Sequence, residues 1–396
     1  MLAIIETHPI QYHAPVYRAL QSTFGVPVTA IYGSDFSVEG YRDQEFGATF
    51  AWDTDLLSGY RQLFLSRVAE GGARAFEQVS PRGLAAALRR VAPAATLVCG
   101  YSPRFHQVAL YEAWRMRRPI LFRAETTDHA QVRGDLKRWL RDRALGAIYG
   151  RCARLLYVGQ NSLQHFKRLA CPDEKLVFSP YCVDTSPFAG DEASRARLRE
   201  ATRERLGIGP DRRVVVFSGK LSPRKGPDLL LEAIKQLPPE ERAASVVLFL
   251  GSGELQDQLR DQAGREPAVE VIFAGFQNQT RLSAYYHAAD VLVLPSQHSE
   301  TWGLVVNEAL FHGLPCVVSA GVGCGPDLIE PGGTGEVFQT GSVADLTGAL
   351  RRAATLVGRR EVRDRCRAAV DRYSVERAAA GIAQAYTGVV APRGAA

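Results

Sequence analysis

Short runs of β-branched and apolar residues recur along this chain, each followed by a stretch with helical spacing. That alternation constrains the fold more than any other feature. In the first half the runs are LAIIET (residues 2–7), VPVTAIYG (26–33), ATLVCG (95–100), PILFRAE (119–125), CARLLYVG (152–159) and KLVFSPYCVD (175–184). Between them fall helical segments at 14–23, 81–91, 107–117 and 161–170, the last started by Asn161. The second half restarts with VVVFSGK (214–220) and continues through SVVLFLG, VEVIFAG, DVLVLPS, PCVVSA and GEVF. Strands that are apolar throughout, rather than alternating, are buried on both faces, and strand–helix alternation implies a mostly parallel sheet with helices on either side. A length of 396 residues suits two such units. Residues 183–210, with Pro187, Gly190 and a charged helical run, read as the region between them. The expected fold class is therefore α/β, with two doubly wound Rossmann-like domains facing a cleft. Residues 1–182 form the first domain and residues 183–374 the second, with a further helix at about 375–396.

In open parallel sheets, ligands bind beyond the carboxyl ends of the strands, so the polar loops after the strands carry the functional signal. ETWGLVVNEALFHG (300–313) follows the run VLVLPS and places two carboxylates, Glu300 and Glu308, eight positions apart. The order is strand, loop, Gly303, helix. It aims backbone N–H groups and a helix dipole at one spot across Thr301, Trp302, Gly303 and Leu304, an arrangement suited to a diphosphate. GKLSPRKG (219–226) follows another buried run and carries Lys220, Arg224 and Lys225 behind Gly219. Lysines here suit the negative charge that develops on a departing nucleoside diphosphate. A basic surface turn and an ordinary solvated helix are the bland readings of the two stretches.

On GKLSPRKG, the Glu300–Glu308 pair, GFQNQTRLSAYYHAADVLVLPS (275–296) and SAGVGCGPDLIEPGGTGEVF (319–338), the chain resembles the GT-B glycosyltransferases of family 4. These are retaining enzymes that use nucleotide-sugar donors. The likeness is strong over about 210–340 and weak before 175. It implies that Lys225 contacts the donor diphosphate, Glu300 the donor sugar, Glu308 the ribose hydroxyls, and that Phe276 borders the base. Lys220 stands where the family usually has arginine, which keeps the charge and loses the bidentate geometry. Gly325 and Asp327 become candidates for the donor-sugar pocket, with a plain helix start as the competing reading. The resemblance also implies that the first domain, residues 1–182, binds the acceptor, that the second, residues 183–374, binds the nucleotide-sugar, and that the final helix, about 375–396, crosses back to the first domain.

The loop after the first run departs from the glycine-rich pattern common in that family. It reads THPIQYHAP and offers His8, Gln11, Tyr12 and His13. Facing the cleft from the first domain, it suits a hydroxyl acceptor, with His13 foremost and assigned to catalysis beside Lys225 and Glu300. His106 and the loop RAETTDH, with Glu125 and His129, follow later strands and extend the same acceptor wall. No G-x-S-x-G and no H-E-x-x-H stands in the chain. GSGE (251–254) lacks the last glycine of a dinucleotide fingerprint. No D-x-D sits in a suitable loop, the DTD at 53–55 lacking a strand before it, so neither a metal nor another cofactor is expected.

Seven scattered cysteines with no C-x-x-C pair suggest reduced thiols and a cytoplasmic protein. The net charge is +6. Residues 133–154 carry seven cations, two acids and the apolar Trp139, Leu140, Leu145 and Ile148. Two readings stand open for this segment: a helix packed by its apolar stripe, or a basic amphipathic helix on the inner face of a membrane. Nucleic-acid binding is not expected, since no matching module is present. The expected partners are a nucleotide-sugar donor, assigned as a UDP-sugar, and a sugar or lipid-linked glycan acceptor. The expected activity is metal-independent retaining transfer. A sugar-nucleotide epimerase or hydrolase, and a non-catalytic nucleotide-sugar-binding partner, are the alternatives.

Overall fold

The computed structural model describes residues 1–43, 48–50, 52–128, 134–265 and 268–390. His129 and Arg133 of the sequence analysis, and residues 391–396, lie outside them. The first sheet has seven parallel strands in the order β5-β2-β1-β6-β7-β8-β9. They are β1 (Leu2–Glu6), β2 (Val28–Tyr32), β5 (Arg61–Phe64), β6 (Ala95–Val98), β7 (Ile120–Arg123), β8 (Arg154–Tyr157) and β9 (Leu176–Phe178). A hairpin of β3 (Tyr41–Asp43) and β4 (Ala48–Phe50) stands apart from it. The second sheet is also parallel, in the order β12-β11-β10-β13-β14-β15. Its strands are β10 (Arg213–Ser218), β11 (Ser245–Leu250), β12 (Glu270–Gly275), β13 (Val291–Leu294), β14 (Cys316–Ser319) and β15 (Gly335–Phe338). Every residue of β1, β2, β6, β7, β11, β13 and β14 is buried, which is why these strands read as continuous apolar runs.

Each sheet reverses its winding once, between β1 and β6 in the first and between β10 and β13 in the second. At such a switch point the loops on either side diverge and leave a crevice. The loops that follow β1, β10 and β13 carry His13, Lys225 and Glu300, and the first turn of the helix Arg104–Arg115 after β6 carries His106. Topology thus collects chemistry from four distant stretches.

Three local features depart from the sequence reading. Strand β5 and the β3–β4 hairpin were not anticipated: β5 is an edge strand of RQLF, with two exposed and two half-buried residues and no apolar run to announce it. The helix expected to start at Asn161 spans Gln160–Arg168 and is entered from Gly159. Ser162 Oγ takes the N–H groups of Val158 and Gly159, while the Asn161 amide reaches across to the Gly323 carbonyl at 3.0 Å. All seven cysteines are free thiols.

The helix Val375–Val390 packs on the first sheet's domain, burying Ala378, Ala379, Ile382 and Ala385 against that core. Ser179 Oγ donates to the Ala378 carbonyl at 2.9 Å. The polypeptide therefore passes between the domains twice, once after Cys182 and once before Val375.

Candidate active site

The basic loop and the acidic loop are fastened to each other. Gly226 adopts φ 64°, and a β-carbon there would lie 2.6 Å from the Pro295 carbonyl oxygen, so only glycine lets the two backbones meet. Gln297 N–H donates to the Arg224 carbonyl at 2.8 Å. This contact delivers Lys225 Nζ to the Glu300 carboxylate, where it donates a hydrogen bond. Ser296 Oγ donates to the same Glu300 oxygen at 2.7 Å. The pair is largely withdrawn from water, with side chains 14% and 10% exposed. Gly303 then starts the helix Leu304–Phe311 with φ 102°, and the first N–H groups of any helix have no partner within it. Lys220 is half-buried in the same basic loop, beside Gly219.

Glu308 occupies a second position in this crevice. It lies in the helix interior, buried, and accepts from the Tyr286 hydroxyl at 2.7 Å. Burial pushes its carboxyl up to about 7, although hydrogen bonds from Tyr286 and Gln279 pull the other way. Glu308 shares a cavity with Gly219, Gly251, Phe276 and Gln279 from the second domain and with Gln11, Tyr12 and Trp52 from the first. Phe276 faces Trp52 with ring centroids 6.5 Å apart. Gly251 touches Gly219 so closely that a β-carbon would stand 1.9 Å from the Gly219 carbonyl oxygen. The GSGE stretch, dismissed as a dinucleotide fingerprint, thus serves as backbone that lets two strand-end loops approach one another.

Across the cleft, His13 sits in a pinned ring. Its Nδ1 lies 2.7 Å from Glu6 Oε1, and its Nε2 lies 3.3 Å from the Tyr181 hydroxyl. Burial alone would raise the Glu6 carboxyl, but His13 beside it and the hydrogen bonds from His13 and Tyr17 bring it down to about 2. A carboxylate so held accepts the Nδ1 proton, and the other nitrogen, Nε2, meets the Tyr181 hydroxyl. His13 and Tyr181 line a cavity of about 320 Å³ with Arg123, Glu125, Thr126, Arg141 and Thr301. Glu125 accepts from the Thr301 hydroxyl, one residue from Glu300, so this cavity abuts the acidic loop of the second domain.

The remaining candidates separate. Gln11 lines the Glu308 crevice rather than the His13 cavity. The His8 ring lies tilted against Phe36, centroids 4.5 Å apart, with the Thr7 hydroxyl at its Nδ1. Burial lowers it to about 4. His106 is buried behind Gly100, its pKa also lowered by burial, and its Nε2 has no hydrogen-bond partner among the described residues. The Trp302 ring is buried between Tyr181 and Tyr373, with its N–H given to Asn307 at 2.9 Å. Asp327 accepts from the Gln160 N–H and the Tyr373 hydroxyl, joining the two domains. Asp53 of the DTD stretch accepts from the Thr280 hydroxyl at 2.5 Å, also across the cleft. Arg123, the first residue of RAETTDH, joins Glu125 in that cavity as expected, whereas the residues that sequence reasoning missed are Glu6, Tyr181, Ser296 and Tyr286. Each is an ordinary member of a strand, a helix or a strand end, and only the fold brings it to the site.

Residues 199–385 match the family of glycosyl transferases group 1. The matched segment contains Lys225, Glu300 and Glu308, and excludes His13 and Glu125. Over 233 residues the chain is 36% identical to D-inositol 3-phosphate glycosyltransferase of Xylanimonas cellulosilytica, covering 54% of this chain and 51% of that protein. Over 213 residues it is 32% identical to a GDP-mannose-dependent phosphatidylinositol monomannoside mannosyltransferase of Mycolicibacterium smegmatis, covering 50% and 54%. The chain thus spans about half the length of these curated relatives. Among solved structures, Anabaena HepE in complex with UDP superposes with a TM-score of 0.71 over 98% of this chain and 99% of its own, at 18% identity. The fold of the whole chain is GT-B, while the sequence likeness to the group 1 family is concentrated in the second domain.

Proposed function

We propose that the chain is a retaining glycosyltransferase that moves a sugar from a nucleotide donor, a UDP-sugar, to a hydroxyl of a sugar or lipid-linked glycan. The observation that carries this reading is the meeting of Lys225, Glu300 and the glycine-led helix start at one switch point, with the His13–Glu125 cavity opposite. The donor diphosphate lies by Lys225, Lys220 and the N–H groups beyond Gly303. Glu300 takes the donor sugar and Glu308 the ribose. The acceptor enters by His13 and Glu125; its hydroxyl oxygen bonds to the anomeric carbon on the face from which the nucleoside diphosphate leaves, and an oxygen of that departing diphosphate takes the hydroxyl proton. The group 1 match supports the donor half of this assignment, and the solved UDP complex of the same fold supports the choice of base. Positive charge from Lys225 and the helix N-terminus serves where a metal would otherwise neutralise the leaving group.

The test is calorimetry with UDP, GDP and ADP, followed by turnover with the matching sugars. Release of free nucleoside diphosphate in proportion to acceptor glycoside is expected, and donor cleavage without glycoside would leave a hydrolase. Activity is expected to persist in a chelator, and the product anomer to match the donor by NMR. An inverted product, or loss of activity that magnesium or manganese restores, would overturn the mechanism.

Glu308 sets a pH dependence. Its folded-state pKa lies above the ordinary glutamate value, so the folded chain holds this proton more firmly than the unfolded one. Its contribution to stability is present in acid and is lost as pH rises through about 7. Ribose hydroxyls donate best to the ionised carboxylate, so UDP affinity should rise from pH 6 to pH 8. In Glu308→Gln that rise should vanish, and an unchanged pH profile by calorimetry would remove Glu308 from the ribose site.

A further inference from the structure

Among the described residues, eight large hydrophobic side chains are exposed, and five of them share two neighbouring helices of the first domain. Tyr111 and Trp114 lie on the helix Arg104–Arg115, and Leu136, Trp139 and Leu140 on the helix Asp135–Arg151. The longer helix packs by its other side, through Leu145 and Tyr149. Of the apolar residues read into this segment, Leu145 packs into the core and Ile148 against it, whereas Trp139 and Leu140 are turned outward. A groove lined by Tyr111, Trp114, Ala147 and Ile148 joins the two helices. Eleven positions of helix separate Ala147 from Leu136, about 16 Å, so the groove and the outward side chains form one elongated face.

Cations outnumber acids on this face. Arg143 lies over the Trp139 ring at 5.3 Å, and Arg151 over the Trp114 ring at 5.6 Å. Lys137 stands exposed beside Leu136. The helix has two acids: Asp135 is held by Arg138 at 2.7 Å and Asp142 by Arg168 at 2.6 Å. Tryptophan edges rimmed by guanidinium groups suit the boundary between lipid headgroups and acyl chains, where the ring enters the apolar layer and the cation stays with phosphate. One turn of the same helix also reaches the cleft, because Arg141, next to Leu140, lines the His13 cavity.

We propose that this face docks the protein on an anionic lipid bilayer, with Trp114, Trp139 and Leu140 entering the headgroup region and Lys137, Arg143 and Arg151 meeting lipid phosphates. The surplus of cations selects an anionic leaflet over a neutral one, and each contributes about fivefold to partitioning. The proposal extends beyond the transfer reaction, and its test requires no turnover.

Flotation with vesicles of phosphatidylglycerol and phosphatidylcholine, or of phosphatidylcholine alone, reads it directly. The protein is expected to float with the anionic vesicles, less so as salt rises, and not with the neutral ones. Trp139→Ser/Leu140→Ser should lose tenfold or more in binding, and Lys137→Gln/Arg143→Gln about fivefold per residue. Phe24→Ser, at an exposed apolar site elsewhere, should bind as the parent does. An unchanged melting temperature and UDP affinity in each variant shows that the fold is intact. No binding to anionic vesicles, equal binding to neutral ones, or full binding by the Trp139/Leu140 variant would overturn the proposal. So would a dimer in light scattering that the same substitutions split, since the face would then be covered by a second copy.

Discussion

Lys225→Ala is expected to lower turnover by about 100- to 1,000-fold, the loss usual when one preorganised donor to a developing negative charge is removed. Lys220→Ala should cost less, because Lys225 is the lysine that donates to Glu300 and the one the resemblance places on the diphosphate. Geometry adds a second consequence. Lys225 and Glu300 are paired and mostly buried, so alanine leaves a carboxylate without its cation. Removing one partner of a fully buried pair destabilises by about 3–5 kcal/mol, and this pair, open at its edge, should lose less. Stability and catalysis can be separated in the double variant Lys225→Ala/Glu300→Gln. It should regain most of the melting temperature and none of the turnover. Near-parental kinetics in Lys225→Ala would sink the donor-site assignment.

His13→Gln is expected to reduce acceptor-dependent transfer about 100-fold, the scale of a misplaced reactant, while UDP affinity stays within about twofold of the parent. Glutamine is the informative substitution because its amide can still donate to Glu6. Alanine would leave that carboxylate, now held at about 2, buried beside Tyr17 alone, so a loss of activity would be mixed with a loss of stability. Calorimetry with UDP checks the division of labour. A large drop in nucleotide affinity would move His13 to the donor side. An unchanged transfer rate would remove it from the reaction.

Much of the fold was legible because strands buried on both faces cannot hide their composition. The edge strand Arg61–Phe64 was illegible for the converse reason, since half of it meets water and it carries no apolar run. The second-domain wall of the cleft was legible because its residues are contiguous: a strand, a turn and a helix bring Lys225 or Glu300 to the crevice within a few positions. The first-domain wall is assembled from separate loops. Nothing near Glu6 announces that it will face His13, and nothing near Tyr181 announces that it will sit 3.3 Å from the other nitrogen. Gln11 lies two positions from His13 yet opens onto the Glu308 crevice. One loop thus serves two cavities, which adjacency in sequence cannot express.

The two passages of the chain between domains limit how the cleft can move. A body joined to another by a single strand can swivel in any direction. Joined at two separate places, it turns mainly about the line through them. The crossings after Cys182 and before Val375 define such an axis, and the contacts of Thr301 with Glu125 and of Thr280 with Asp53 lie across the cleft. Opening should therefore be a hinge motion that parts these contacts together and leaves each sheet unchanged. Paired distance labels across the two contacts would lengthen in step if this is so, and independent changes would show a looser joint. A donor bound on one wall would then meet its acceptor by rotation of the other, with the approach path fixed by the chain itself.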